Sequence, residues 1–318
     1  MTDPRSTDVG GTREEVTACL ACGGTRWRTE VEVRAQMHPE PEPFTFVRCA
    51  SCGLVFLNPR VPASELGRYY TDAYLPYRGP EAWGPFAPLV ALELAATDRK
   101  RVRRVRRFAG TVGTGTRVLD VGCGRPSFLK RLVEATGAVG IGVDFSDAGW
   151  RDEPDRWRGL DLRVGGADVD LDAPVDVVTM WHYLEHDYRP RETLERVRGL
   201  APRGCLVVEV PDHDGWTRRR HGGWWAGYHA PRHTALYTPE TLGTLLEQSG
   251  WRLERILTRG TLDPYVVHWM SRMERRGIDW SAGMASRFPG FLLGKVWSAP
   301  RFALGRRAGI MTAVARPA

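Results

Sequence analysis

The stretch RVLDVGCGRPSFL, residues 117–129, constrains the chain more than any other. Val118 and Leu119 form the apolar end of a strand, Asp120 follows, and Gly122 and Gly124 give a turn whose backbone can approach a ligand closely. Phe128 and Leu129 then open the apolar face of a helix. About twenty residues beyond the glycines, GIGVD ends in a second acid, Asp144. Strand, glycine turn, helix, strand and acid make a βαβ unit. A nucleoside is expected across its carboxyl edge, with Asp144 facing the ribose hydroxyls. GCGRP lacks the third glycine of G-x-G-x-x-G, which argues against a dinucleotide.

Alternating strands and helices continue downstream. Strands are expected at 117–121, 139–144, 162–164, 175–180, 206–210, 252–258 and 310–315, and helices at 127–135 and from Pro239, where Thr238 can cap. This alternation predicts an α/β domain with a mostly parallel sheet covered by helices.

The run D-V-G-C-G, the acid in GVDFS, the sequence DVVTMWHYLEHDYRP and the strand-like GCLVVEVP together resemble a class I S-adenosylmethionine-dependent methyltransferase. The resemblance implies a Rossmann-like, doubly wound, mostly parallel seven-stranded sheet. It also implies that Asp120, Gly122, Cys123 and Gly124 surround the methionine and ribose part of the cofactor, Cys123 through its backbone. Asp144 and the adjacent Phe145 would take the ribose side, Asp168 the adenine, and Trp181 the wall near the sulfonium. The chain departs from the family's D-x-G-x-G-x-G at Pro126, where the last glycine is expected. Proline fixes φ and lacks an amide donor, so the loop is altered there.

Upstream, Cys19-Leu20-Ala21-Cys22 and Cys49-Ala50-Ser51-Cys52 form two C-x-x-C knuckles, each followed by glycine. Four thiolates suit tetrahedral zinc and leave no open coordination position, so the metal is expected to be structural, with an iron–sulfur site or redox dithiols as the alternatives. Between the knuckles, Val31 and Val33 on one arm and Phe44, Phe46 and Val47 on the other predict a hairpin. Cys123 and Cys205 stand apart as expected buried thiols. The order knuckle, N-P-R, then Tyr69-Tyr70 and Tyr74 is similar to the zinc-ribbon subgroup of small-molecule methyltransferases, including deoxysugar C-methyltransferases. Tyr70 and Tyr74 are therefore candidates for a substrate wall, with a hydrophobic seam between modules as the equal alternative.

Two clusters carry the candidate chemistry. WHYLEHD, residues 181–187, follows the fourth strand and places His182 at the carboxyl edge of the sheet. Glu185 and His186 read as the start of the next helix. The long segment after the fifth strand is rich in Trp, Tyr, His and Gly and predicts a lid over 211–237. It contains Tyr228 and Arg232 as candidate substrate contacts, Arg232 through its planar fork. It also contains His229 and His233, and the subgroup resemblance singles out His233. His233, His182 and His229 are all candidate bases, since histidine titrates near physiological pH. No H-x-E-x-H pattern points to a second metal among them. A helical insertion is expected over 261–308.

The expected organisation is a flexible N-terminus at 1–15, a zinc-ribbon module at 16–58, a helical linker and substrate-wall region at 59–112, and the methyltransferase domain at 113–318. The polar opening holds no signal-peptide core, and no apolar run reaches membrane-spanning length, so a cytoplasmic enzyme is the expectation. The formal charge of +7 is carried almost wholly by arginine and suits an acidic partner or none in particular. The favoured activity is methyl transfer to an oxygen or activated carbon of a small molecule, sugar-linked or hydrophobic, in sugar or antibiotic biosynthesis. The ribbon and an arginine-rich helix expected between Pro88 and Ala109 keep an RNA methyltransferase in play, and Pro126 an RNA-binding module with weakened catalysis. Against nucleic acid, MWHY replaces the N/D-P-P-Y/F typical of exocyclic-amine methyltransferases. No sequence feature separates monomer from homodimer.

Overall fold

The computed structural model describes residues 12–71, 73–304 and 307–318. Most of the expected flexible N-terminus, residues 1–11, lies outside the described residues. Glu14 is already held by an antiparallel bridge to Arg60.

The N-terminal sheet is wholly antiparallel and runs β1 (Trp27–Arg34), β2 (Pro43–Cys49), β3 (Val55–Leu57) and β9 (Ala235–Leu236). In the expected hairpin Val31 faces Phe46 and Val33 faces Phe44. Val33, Phe44 and Phe46 bury their side chains against Trp225 and Tyr228. Its last strand, β9, comes from a segment about 180 residues further along the chain, so this pairing closes a long loop.

Between the sheets lie the short helix α1 (Leu75–Arg78) and the long helix α2 (Ala87–Phe108). Thr97, Asp98, Val102 and Val105 form the buried face of α2. The second sheet has the order β10, β11, β8, β7, β4, β5, β6, from β4 (Arg117–Val121), β5 (Val139–Asp144), β6 (Leu160–Val164), β7 (Val177–Trp181), β8 (Cys205–Pro211), β10 (Trp251–Leu257) and β11 (Ile310–Pro317). β11 runs antiparallel to both its neighbours, while the pairs from β8 to β6 are parallel. The apolar residues of β4, β7 and β8 are buried on both faces because helices α3 (Ser127–Thr136), α4 (Pro190–Leu200) and α6 (Pro239–Gln248) accompany the sheet. Strand order reverses at β4, which puts the ligand crevice of a doubly wound sheet at its carboxyl end.

Pro126 precedes α3, where a missing amide donor costs no intrahelical bond. Thr238 caps α6 by accepting from the amide of Thr241, whose hydroxyl accepts from the amide of Thr238 in return. The region expected as a lid is largely interior instead. It includes the short helix α5 (Trp216–His221), and Trp225, Tyr228, Arg232 and Tyr237 are fully buried. Its aromatic residues fill the joint between the two sheets, and their burial draws the segment inward. Helices α7 (Pro264–Arg275) and α8 (Phe288–Leu304) stand between β10 and β11. No helix among the described residues is long and apolar enough to cross a membrane.

Candidate active site

The glycine turn at the end of β4 is built from backbone bonds. The amides of Gly122 and Cys123 both donate to the carbonyl of Val143, at 2.8 and 3.0 Å, and the amide of Gly124 donates to Asp144 Oδ2 at 2.8 Å. Gly122 has φ +73°, and a Cβ there would stand 2.4 Å from Cδ2 of Tyr183, so only glycine fits beside that ring. Gly149 packs onto the same turn: its Cβ would meet the Gly124 carbonyl oxygen at 2.3 Å. Asp120 is buried and accepts from Thr179 Oγ1 at 2.6 Å. Burial pushes its carboxyl up to about 7, against the hydrogen bond from Thr179 and the charge of Arg101. Burial also raises Asp144, opposed by its bonds from the Gly124 and Ser146 amides.

The expected cofactor residues sit along this edge. Phe145 leaves its ring exposed 6.3 Å from Tyr70, and Asp168 is exposed beyond β6. Trp181 packs edge-on against Phe128 at 5.2 Å, with the Arg101 guanidinium over its face, and its indole N–H is buried without a partner. A turn without side chains on its inner edge, two acids, an exposed aromatic face and an orphaned donor form a donor set that fits a nucleoside with an amino-acid tail.

Beyond β7, His182 adopts φ +57°. Its Nδ1 lies 3.1 Å from Glu185 Oε1 and its Nε2 lies 3.4 Å from Glu209 Oε1. Burial alone would lower this imidazole, but the two carboxylates outweigh it and carry it up to about 9. Glu209 is completely buried in β8, where Thr261 donates through its amide and hydroxyl at 2.7 and 2.6 Å and Thr312 through its hydroxyl at 2.8 Å. Burial would raise it, yet the bond and charge of His182 bring it down to about 2. Glu209 belongs to no motif, and its one signal in the sequence is an acid inside the apolar run LVVEVP, which calls for a buried partner.

His186, His229 and His233 gather next to Glu185. His229 and His233 stack at 4.8 Å with an 18° tilt, and His186 meets His233 edge-on at 4.5 Å. They come together through a compact turn in which the amide of Arg232 donates to the carbonyl of His229, rather than on a helix. Burial lowers all three imidazoles, His229 and His233 well below the usual range. Glu185 and His186 lie on a single 3-10 turn, and the following helix starts only at Pro190.

These histidines, with His182 and Glu185, line one end of a cavity of about 620 Å³ whose other walls include Tyr74, Trp83, Leu94, Trp269 and Phe291. Two expected substrate contacts are corrected. Arg232 is wholly buried, with Nη1 donating to the Tyr69 carbonyl at 2.5 Å and Nη2 to that of Gln36, so its fork serves as an internal strut. Tyr228 is fully buried among Phe46 and Trp225 and is not among the residues lining this cavity. Tyr74 does line the cavity, edge-on to His229 at 5.3 Å, while half-buried Tyr70 packs against Tyr74 at 5.1 Å.

The four knuckle cysteines converge at a separate place. Cys19 Sγ and Cys52 Sγ are 3.5 Å apart, and Cys22 Sγ and Cys49 Sγ are 3.6 Å apart. The Gly23 and Gly53 amides close each knuckle onto the carbonyls of Cys19 and Cys49. The cluster is able to hold a metal ion, and an all-sulfur set fits a structural zinc.

Among curated proteins, no sequence matches the chain. Solved structures resemble it at low identity. A cyclopropane synthase from Mycobacterium tuberculosis is 17% identical, over 68% of this chain and 83% of that one, with a TM-score of 0.47. The geranyl diphosphate C-methyltransferase of Streptomyces coelicolor is 14% identical, over 69% and 76%, with a TM-score of 0.46. A family model described as a methyltransferase domain matches residues 94–256, more than half of the chain. That match runs from α2 through the glycine turn and its two acids to β10. The chain belongs to the methyltransferase-domain family and is an S-adenosylmethionine-dependent methyltransferase.

Proposed function

We propose that the enzyme methylates an oxygen or activated carbon of a small natural-product or sugar-linked acceptor held in the apolar cavity. The observation that carries this reading is the junction of that cavity with the His182, Glu185 and His229 cluster at the carboxyl end of β7. S-Adenosylmethionine supplies an electrophilic methyl group on a sulfonium leaving group. Asp120 and the Gly122–Gly124 turn would hold its methionine end, Asp144 its ribose, and Phe145 and Asp168 its adenine side, with Trp181 walling the reacting centre. Tyr74 and the tryptophans of the cavity orient the acceptor and exclude water. Among the three candidate bases, geometry favours His229: its Nε2 is buried without a partner in the cavity wall, free to take the acceptor proton. His182, with both ring nitrogens turned to the carboxylates of Glu185 and Glu209, serves instead to orient Glu185 in the cavity wall. The four cysteines would hold zinc and frame the acceptor side. The resemblance to zinc-ribbon C-methyltransferases favours a deoxysugar within this acceptor class.

The test is incubation of the purified chain with methyl-labelled donor and three acceptor sets: nucleotide-linked deoxysugars, hydroxylated aromatic scaffolds, and ribosomal or transfer RNA. Label entering a small molecule, with stoichiometric S-adenosylhomocysteine, supports the reading. Label entering only RNA would overturn it.

A further inference from the structure

Glu185, His186 and His233 each offer a ligand atom, and those atoms all lie within 4.8 Å of one another. The outer shell is already built. His186 Nδ1 lies 3.0 Å from the Arg232 carbonyl oxygen, and His233 Nδ1 lies 2.9 Å from that of Gly227. A carbonyl only accepts, so both Nδ1 atoms carry the hydrogen and both Nε2 atoms present a lone pair. Backbone carbonyls fixing the tautomer in this way are the usual outer partners of metal-bound histidine. Glu185 divides its carboxylate similarly: Oε1 meets His182 Nδ1, while Oε2 is buried with no hydrogen-bond partner. A buried carboxylate oxygen left unpaired is costly unless something completes it.

We propose that Glu185 Oε2 and the Nε2 atoms of His186 and His233 hold a divalent first-row transition metal ion in the wall of the acceptor cavity. Two imidazoles and one carboxylate leave coordination positions open, as in catalytic zinc sites and in facial-triad iron sites. Magnesium, which favours oxygen ligands, suits this set poorly. All three residues line the cavity, so the open positions face it. Resting on the methyl-transfer reading, the exogenous ligand is an oxygen of the acceptor, a hydroxyl or a carbonyl. This centre is distinct from the four-cysteine cluster, which has no open position.

The full-length chain is stripped with chelator, reconstituted with Zn²⁺, freed of loose metal and analysed for metal content. Two ions per chain are expected, falling to one in E185Q and in H186Q, with the cysteine cluster intact in both. One ion in the unaltered chain, or two in both variants, overturns the proposal. Cobalt substitution reads the wild-type chain without any variant. Two sets of ligand-field bands are expected, one with intense thiolate charge transfer and one without; thiolate-bound cobalt alone overturns it. Neither experiment reads turnover. A missing second metal leaves the methyl-transfer reading standing, and missing methyl transfer leaves the metal count standing.

Discussion

The backbone amide of Thr234 donates to the carbonyl oxygen of Glu185 across 2.7 Å, and its hydroxyl donates to the carbonyl of Asp187 at 2.6 Å. These bonds fasten the turn after β7 to the segment that carries His229 and His233. T234V keeps the shape and the backbone bond but leaves the part-buried Asp187 carbonyl without this donor. The expected cost is about 1–3 kcal/mol of stability. Urea unfolding should show the lowered midpoint, and calorimetry should show cofactor affinity within about twofold of the parent, since the change lies away from the glycine turn. An unchanged midpoint would sink this account of the joint.

Asp120 gives a pH dependence with a definite sign. Its folded-state pKa, raised to about 7, lies above the ordinary value near 3.8. As pH rises through that interval the unfolded chain sheds its proton first, so the cofactor-free protein loses stability from about pH 4 to pH 7. The α-ammonium of the cofactor's amino-acid end beside Asp120 favours the carboxylate, so S-adenosylhomocysteine, which keeps that ammonium, should bind more tightly as pH rises from 6 to 8, by at most about tenfold per unit below the pKa. D120N should flatten both trends and weaken binding. Calorimetry in buffers of different ionisation enthalpy measures the proton released.

Gly122 has no room for a methyl group, because Tyr183 occupies that space. G122A should therefore displace the tyrosine ring and the turn together, with S-adenosylhomocysteine binding weakened by at least about tenfold and a stability loss of about 1–3 kcal/mol. Unaltered affinity would remove the turn from the cofactor site.

Metal removal at the cysteine knuckles should reach the cavity. C49S breaks the four-sulfur set at the last residue of β2, and β2 leads through β3 to β9. Thermal midpoint and turnover should fall together, and zinc should restore both after chelation of the parent protein but not of C49S. Turnover preserved in a metal-free cluster would separate the ribbon from catalysis.

How far the sequence could be read depended on the range of the interaction. The strands of the large sheet are legible as short β-rich runs, most of them ending at Gly, Pro or an acid, a local signal; the strand at Val139–Asp144 matches residue for residue. The cysteine cluster is legible because each knuckle is only four residues long. What escaped were pairings across long intervals. Nothing local in ALY says that Ala235 and Leu236 will pair with Phe56 and Val55. The aromatic and glycine content of 211–237 reads as an exposed loop, while the deciding fact is that Trp225 and Tyr228 find a buried seat against Val33 and Phe46. Arg232 misleads for a similar reason: a buried guanidinium whose two Nη atoms are held by main-chain carbonyls looks, in sequence, like one awaiting a substrate. Glu185 and His186 look like the beginning of a helix until His233, forty-seven residues beyond His186, arrives beside them, a separation set by the fold alone.

The pairing of β3 with β9 has one more consequence. A cut between ribbon and enzyme at residue 58 would seem to follow a natural seam in the sequence, yet it would strip an edge from a sheet whose final strand immediately follows Thr234 and His233. The ribbon cannot be grafted onto another methyltransferase, or deleted from this one, as a self-contained cassette. Its recipient would also need the 211–237 segment that joins the two sheets.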